Sequence, residues 1–115
     1  MKIALPTTPA LRALCLFAFV FTTLFVLLHD PPGGGLENVW DKAKHFVVYG
    51  GMAFMLWLAM GKRHAVLAFA LVCSVGAADE TLQYFTPGRT ADVRDWLTDV
   101  AGAGVCLWIA RRLFL

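Results

Sequence analysis

The chain has 115 residues, 59% of them hydrophobic and only 16% charged, with a mean hydropathy of +0.67. That composition excludes an ordinary soluble domain, whose surface needs more polar side chains, and it points to an integral membrane protein. A formal net charge of +2 gives no argument for a nucleic-acid partner.

Four almost uninterrupted apolar runs, at residues 13–28, 46–60, 65–78 and 96–110, predict an all-α integral membrane bundle of four transmembrane helices. Each run alone makes about 21–24 Å of helix against a hydrocarbon core of about 30 Å, so the helices must extend into their polar flanks. The expected spans are about 10–29, 40–61, 65–85 and 92–111, within a single domain covering 1–115.

Pro6 and Pro9 keep the N-terminal segment out of the first helix, and Arg12 can snorkel to the interface. Its basic start and apolar middle resemble a secretory signal, but no small-residue cleavage pattern follows Leu28, so a retained anchor is expected. The segment Pro31-Pro32-Gly33-Gly34-Gly35 ends any helix. Asn38 is a candidate N-cap for the second helix, with Asp41 in the first turn. That helix should stop near Gly61, and the turn Gly61-Lys62-Arg63-His64 is short enough to require an antiparallel third helix. Pro87-Gly88 breaks the third helix, and the fourth begins between Thr90 and Asp95.

Charge orients these spans. Lys2, Arg12, Lys62, Arg63, Arg111 and Arg112 all fall on one side, which the bias of Lys and Arg makes cytoplasmic, so both termini are expected there. The other side holds Lys42, Lys44, Arg89 and Arg94 against all eight carboxylates, a formal charge of −4. Trp40, Trp96 and Tyr84 fall at the expected outer boundary, and Trp57 and Trp108 toward the inner one. Small residues such as Gly50, Gly51, Gly76 and Gly102 allow close helix approach, so helices two to four are the expected core and homo-oligomerisation stays open. Cys15, Cys73 and Cys106 lack metal or redox spacing and read as buried thiols.

The residues able to carry chemistry gather at the outer ends of helices two to four. Asp41, His45 and Tyr49, at i, i+4 and i+8, form one stripe on which a carboxylate could orient an imidazole; the plainer reading is a cap beside interfacial hydrogen bonds. Glu80 and Gln83 are i, i+3 neighbours, with Asp79 on a different face; beside an apolar run Glu80 needs a retained proton or a cationic partner. Asp92, Asp95 and Asp99 converge on one stripe, and their repulsion must be offset by Lys42, Arg89, Arg94, a proton or a cation. A salt-bridge network is the commoner explanation; a divalent cation such as Mg²⁺ or Ca²⁺, or with His45 Zn²⁺ or Mn²⁺, is the alternative. Arg89 could hold a phosphate or carboxylate.

The order D-K-A-K-H-F-V-V-Y, E-T-L-Q, P-G-R and D-V-R-D-W-L-T-D-V-A-G resembles the VanZ-like family of small membrane proteins over roughly the last two thirds of the chain. In that pattern Asp41, Lys42, His45 and Phe46 match D-K-x-x-H-F, Glu80 and Gln83 match E-x-x-Q, and Arg89, Asp92 and Asp95 match R…D…D. The family commonly has Asn where this chain has Asp99. Its named member is associated with reduced sensitivity to teicoplanin, so the resemblance implies a bacterial inner-membrane location and an envelope context.

The expectation is a polar pocket open to the extracytoplasmic side that binds or modifies an envelope lipid or an amphiphilic, glycopeptide-type antibiotic. Its residues are Asp41, Lys42, His45, Tyr49, Glu80, Gln83, Arg89, Asp92, Asp95 and Asp99, with Arg89 and Lys42 meeting anionic groups. Two other classes stay open. One is a metal-assisted or acid–base hydrolase of a lipid head group, with His45, Glu80 or Asp95 catalytic, although no zinc-helix motif, nucleophile elbow or P-loop is present. The other is a proton-coupled small transporter, for which the inner half lacks a polar pathway.

Overall fold

The computed structural model describes residues 2–28, 39–87 and 92–115, at residues 39–41 through the backbone alone. They form four helices: α1 (Pro9–Leu28), α2 (Val39–Ala59), α3 (Ala65–Phe85) and α4 (Val93–Phe114). There is no strand among the described residues. At 20 to 22 residues each helix is about 30–33 Å long, so the apolar runs do extend into their polar flanks.

Local chemistry sets the helix ends. Pro9 occupies the first position of α1, where its missing N–H costs nothing, and the Thr8 hydroxyl accepts the Leu11 N–H at 3.2 Å. At the end of α2, Gly61 N–H bonds Leu58 O at 2.9 Å and Lys62 N–H bonds Trp57 O at 3.0 Å, with Gly61 left-handed at φ 73°. This is a Schellman stop, and glycine is there because an L side chain resists that backbone. Thr86, extended ahead of Pro87, closes α3. Asp92 caps α4 by accepting the Arg94 N–H at 2.9 Å. The helix then runs to Phe114, past the expected end at Arg111, with Arg111 and Arg112 in its last turn, where positive charge suits the dipole.

Helix α2 lies at the centre and packs on all three others, most extensively on α4. The α2/α4 crossing is close because it is made of glycine. A Cβ on Gly102 would run into the Phe46 backbone, and one on Gly50 into the Cys106 thiol. Below it the core holds Tyr49, Met52, Ala53 and Trp57 of α2, Ala103 and Leu107 of α4, and Ala68 and Val72 of α3. Trp57 is completely buried, so it is a core residue and not a member of an interfacial belt. Trp108 is exposed, with the Arg112 guanidinium 5.2 Å above its ring.

Helix α1 packs against α2 and, less, α3, placing Cys15 in the core. The core therefore includes α1 as well as α2–α4, since α1 covers a face of α2 that the other two leave open. The rest of α1 displays large apolar side chains, among them Phe17, Phe21, Leu24 and Phe25. Helices α1 and α3 are long and apolar enough to cross a membrane, with mean hydropathy 2.4 and 1.6 over their best windows. Helices α2 and α4 carry charged residues at their ends.

One end of the bundle is closed by cations serving helix C-termini. Lys62 Nζ donates to Leu5 O at 2.9 Å and Phe114 O at 3.3 Å, and Arg12 Nε donates to Ala59 O at 3.0 Å. Ala59 and Phe114 end α2 and α4, so their carbonyls have no partner within their own helices, and the basic side chains both satisfy and neutralise them; Leu5 lies in the segment before α1. The three cysteines are free, Cys15 buried and the other two half-buried.

A polar cluster at one end of the bundle as the candidate functional site

At the opposite end α2, α3 and α4 bring their ionisable residues together. Lys42 lies one turn before His45, and Tyr49 one turn after it. Lys42 Nζ is 2.6 Å from Asp95 Oδ1 and 3.8 Å from Asp92 Oδ2, spanning two of the three aspartates of the α4 stripe. His45 Nδ1 sits 2.8 Å from Asp99 Oδ1, one proton lying between them. The His45 and Tyr49 rings stack with centroids 6.0 Å apart and planes 4° apart. Asp95 and Asp99 are buried, at 3% and 0% exposure, which is tolerable for carboxylates only because α2 delivers Lys42 and His45 to them.

The third helix contributes differently from the expectation. Its buried stripe is Ala68, Val72, Gly76, Asp79 and Gln83. Gln83 Nε2 donates to Asp79 Oδ2 at 3.2 Å, and the Tyr49 hydroxyl reaches the same oxygen at a long 3.5 Å. Gln83 therefore partners Asp79, not Glu80, because an i, i+4 step keeps both on the face toward α2 and α4. Asp79, left out of the expected site, is part of the cluster. Its signal in the sequence is the 4-4-3-4 spacing of that stripe, which runs from small apolar residues into Asp79 and Gln83.

Glu80 takes the adjacent face and is half-buried. Its Oε2 accepts the backbone N–H of Asp92 at 2.9 Å, tying α3 to the start of α4, while its Oε1 is buried without a hydrogen-bond partner. Asp99 Oδ2 is likewise buried and unpartnered, packed against Gly76. Trp96 Nε1 donates to Cys73 O at 3.0 Å, which locks the indole against α3. At the rim, the Arg94 backbone N–H and then its guanidinium, with Lys42 beyond, hold the Asp92 carboxyl below the usual aspartate range.

Of the expected site residues, Lys42, His45, Tyr49, Glu80, Gln83, Asp92, Asp95 and Asp99 are thus gathered at one end of the bundle. The side chain of Asp41, and Arg89 altogether, lie outside the described residues. Lys42 is engaged with aspartates, which changes its expected role: an anionic ligand would have to compete with Asp95 for it. The aspartate repulsion anticipated along α4 is offset by ion pairing to α2. Among the described residues no three of His, Cys, Asp and Glu stand close enough to share a metal ion.

A family model described as VanZ/LLP1 matches residues 8–115, so the match takes in α1 as well as the motif-bearing helices. No curated protein and no solved structure matches the chain. With two helices fit to cross a bilayer, the family match points to a membrane protein. The chain belongs to the VanZ/LLP1 family.

Proposed function

We propose that this chain is a four-span protein of a bacterial inner membrane, with both termini cytoplasmic and the polar cluster facing outward, where it engages the polar head of an envelope lipid or of an amphiphilic, glycopeptide-type antibiotic. The observation that carries the reading is the pairing of Lys42 with Asp95 and His45 with Asp99 at one end of a bundle whose flanks are apolar. Ionisable groups at membrane depth are expensive and tend to mark a working site. The Arg- and Lys-bearing opposite end fits the cytoplasmic side. The large apolar side chains displayed by α1 suit a lipid environment better than water. Binding is the core of this reading; chemical modification of the bound amphiphile is its enzymatic extension, with His45, Glu80 and Asp95 as the groups able to move protons.

Two measurements test it. Single cysteines at Lys44 and Arg94, in a background lacking the native three, should react with a membrane-impermeant maleimide added to intact spheroplasts, and one at Arg63 should not. Replacement of His45, Glu80 or Asp95 at normal protein levels should change sensitivity to lipoglycopeptides. Wild-type behaviour of every variant, or labelling from the wrong side, would sink the proposal.

A further inference from the structure

Along the seam between α2 and α4 runs an open groove of about 370 Å³, lined by Phe46, Gly51 and Phe54 of α2 and by Ile109, Leu113 and Phe114 of α4. These side chains are apolar. Helix α1 packs on α2 and α3 but not on α4, so it does not roof the seam. The groove takes in residues 46–54 of α2 and 106–114 of α4, about 12 Å of each helix. One leaflet offers about 15 Å of hydrocarbon, so the groove covers most of the depth that a single acyl chain occupies. Toward the polar cluster the seam is shut, because Gly102 meets the Phe46 main chain there. At the other end its last lining residues meet the basic side chains. Phe114 O accepts from Lys62 Nζ at 3.3 Å, and Leu113 O accepts the N–H of Ile3, the neighbour of the exposed Lys2.

That end is strongly positive. The residues that build it, 1–12, 59–66 and 110–115, include Lys2, Arg12, Lys62, Arg63, Arg111 and Arg112 and no Asp or Glu. Lys62 and Arg12 are held by main-chain carbonyls, which orient their charges and leave most of them in place. A hydrocarbon chain gains little by exchanging bilayer for groove, since both are apolar. The charge at the end of the groove therefore decides which lipid stays, and basic rims between membrane helices favour anionic head groups.

We propose that the α2/α4 groove seats an acyl chain of an anionic phospholipid, with its phosphate beside Lys2 and Lys62. This requires the chain to lie in a bilayer and does not depend on what the polar cluster at the opposite end engages.

The test uses the full chain in phosphatidylcholine nanodiscs that carry, at equal mole fraction, phosphatidylglycerol or phosphatidylcholine with a photoactivatable diazirine in mid-chain, the adducts being mapped by mass spectrometry. Adducts of the phosphatidylglycerol probe at residues 46–54 and 106–114 should exceed those of the phosphatidylcholine probe about tenfold. The two probes should label the exposed α1 face at Phe17, Phe21 and Leu24 about equally. Lys2→Gln, at an exposed position where folding is not at stake, should cut the excess about fivefold. Gly51→Leu, where an added Cβ meets nothing within 4 Å, should remove the groove adducts without lowering the melting temperature. Excess glycerol 1-phosphate should leave the adducts unchanged; displacement by it would identify a soluble phosphate as the ligand and overturn the lipid assignment. Equal labelling of the groove by both probes, or wild-type labelling in both variants, would overturn it as well. If the groove excess is missing while cysteine labelling and drug sensitivity behave as expected, this assignment alone falls.

Discussion

His45 on α2 and Asp99 on α4 meet at 2.8 Å although 54 residues separate them, and the other Asp99 oxygen lies where a Cβ on Gly76 of α3 would come within 2.9 Å. One carboxylate thus sits at the junction of three helices, touching a hydrogen-bond partner on one and bare backbone on another. Removal of its partner should be felt by the whole bundle. His45→Ala leaves Asp99 buried and unpaired and should cost about 1–3 kcal/mol. Asp99→Asn in the same chain should recover part of that loss, because a neutral amide is cheaper to bury than a carboxylate. Thermal unfolding of the two single variants and the double variant in micelles, followed by circular dichroism, gives the coupling; additive losses would show that the contact contributes nothing of its own.

Lys42 offers a second case, in which one cation serves two carboxylates. Lys42→Met should destabilise by about 1–3 kcal/mol, since Asp95 is buried and loses its 2.6 Å partner. Pairing that change with Asp95→Leu should be much less damaging than the single variant, because removing both members of a buried pair leaves no orphaned charge. Equal unfolding midpoints for the single variant and wild type would show that the bridge has no net effect.

The glycines separate into those that permit a contact and those that do not. A side chain at Gly102 collides with the Phe46 main chain, which cannot step aside as a flexible side chain could. Gly102→Val should therefore cost about 3 kcal/mol, at the upper end for overpacking, or prevent assembly of α2 on α4. Gly51, one residue from the crossing glycine Gly50, has nothing within 4 Å of an added Cβ. Gly51→Ala should stabilise by about 0.4–1 kcal/mol through lost unfolded-state entropy and better helix propensity. Expression level and melting temperature of the two variants should move in opposite directions.

Acid should weaken the start of α4. Asp92 has its carboxyl held below the ordinary aspartate range by the Arg94 N–H and guanidinium, so its folded pKa is lower than its unfolded one. Its contribution is complete above the unfolded value of about 3.9 and disappears as pH falls through the lower folded value. The gap in unfolding midpoint between wild type and Asp92→Ala should be widest near neutrality and narrow below about pH 4. A gap that does not change with pH would mean that Asp92 acts only by shape.

The site was legible in the sequence to different depths. That Lys42, His45, Glu80, Asp92, Asp95 and Asp99 share one end followed from hydropathy, since each flanks an apolar run on the same side of its helix. The partners did not follow. The i, i+3 spacing pairs Gln83 with Glu80, whereas its amide goes to Asp79 at i−4, because the rotation of α3 turns Asp79 inward and Glu80 toward the start of α4. The depth of Trp57 along α2 suggests an interfacial ring, but rotation about the helix axis places it in the core.

Sequence alone determined the four helices, the stop of α2 at Gly61 and of α3 ahead of Pro87, and the gathering of carboxylates at one end. These depend on local matters: the length of an apolar run, a proline or glycine at a terminus. Tertiary structure decided the rest. Which carboxylate meets which cation, that α1 covers α2, and that Glu80 keeps an unpartnered oxygen all depend on the register and rotation of packed helices. A shift of one residue turns a side chain by about 100°, and here that angle is set by the close contact of Gly50 and Gly102 across α2 and α4.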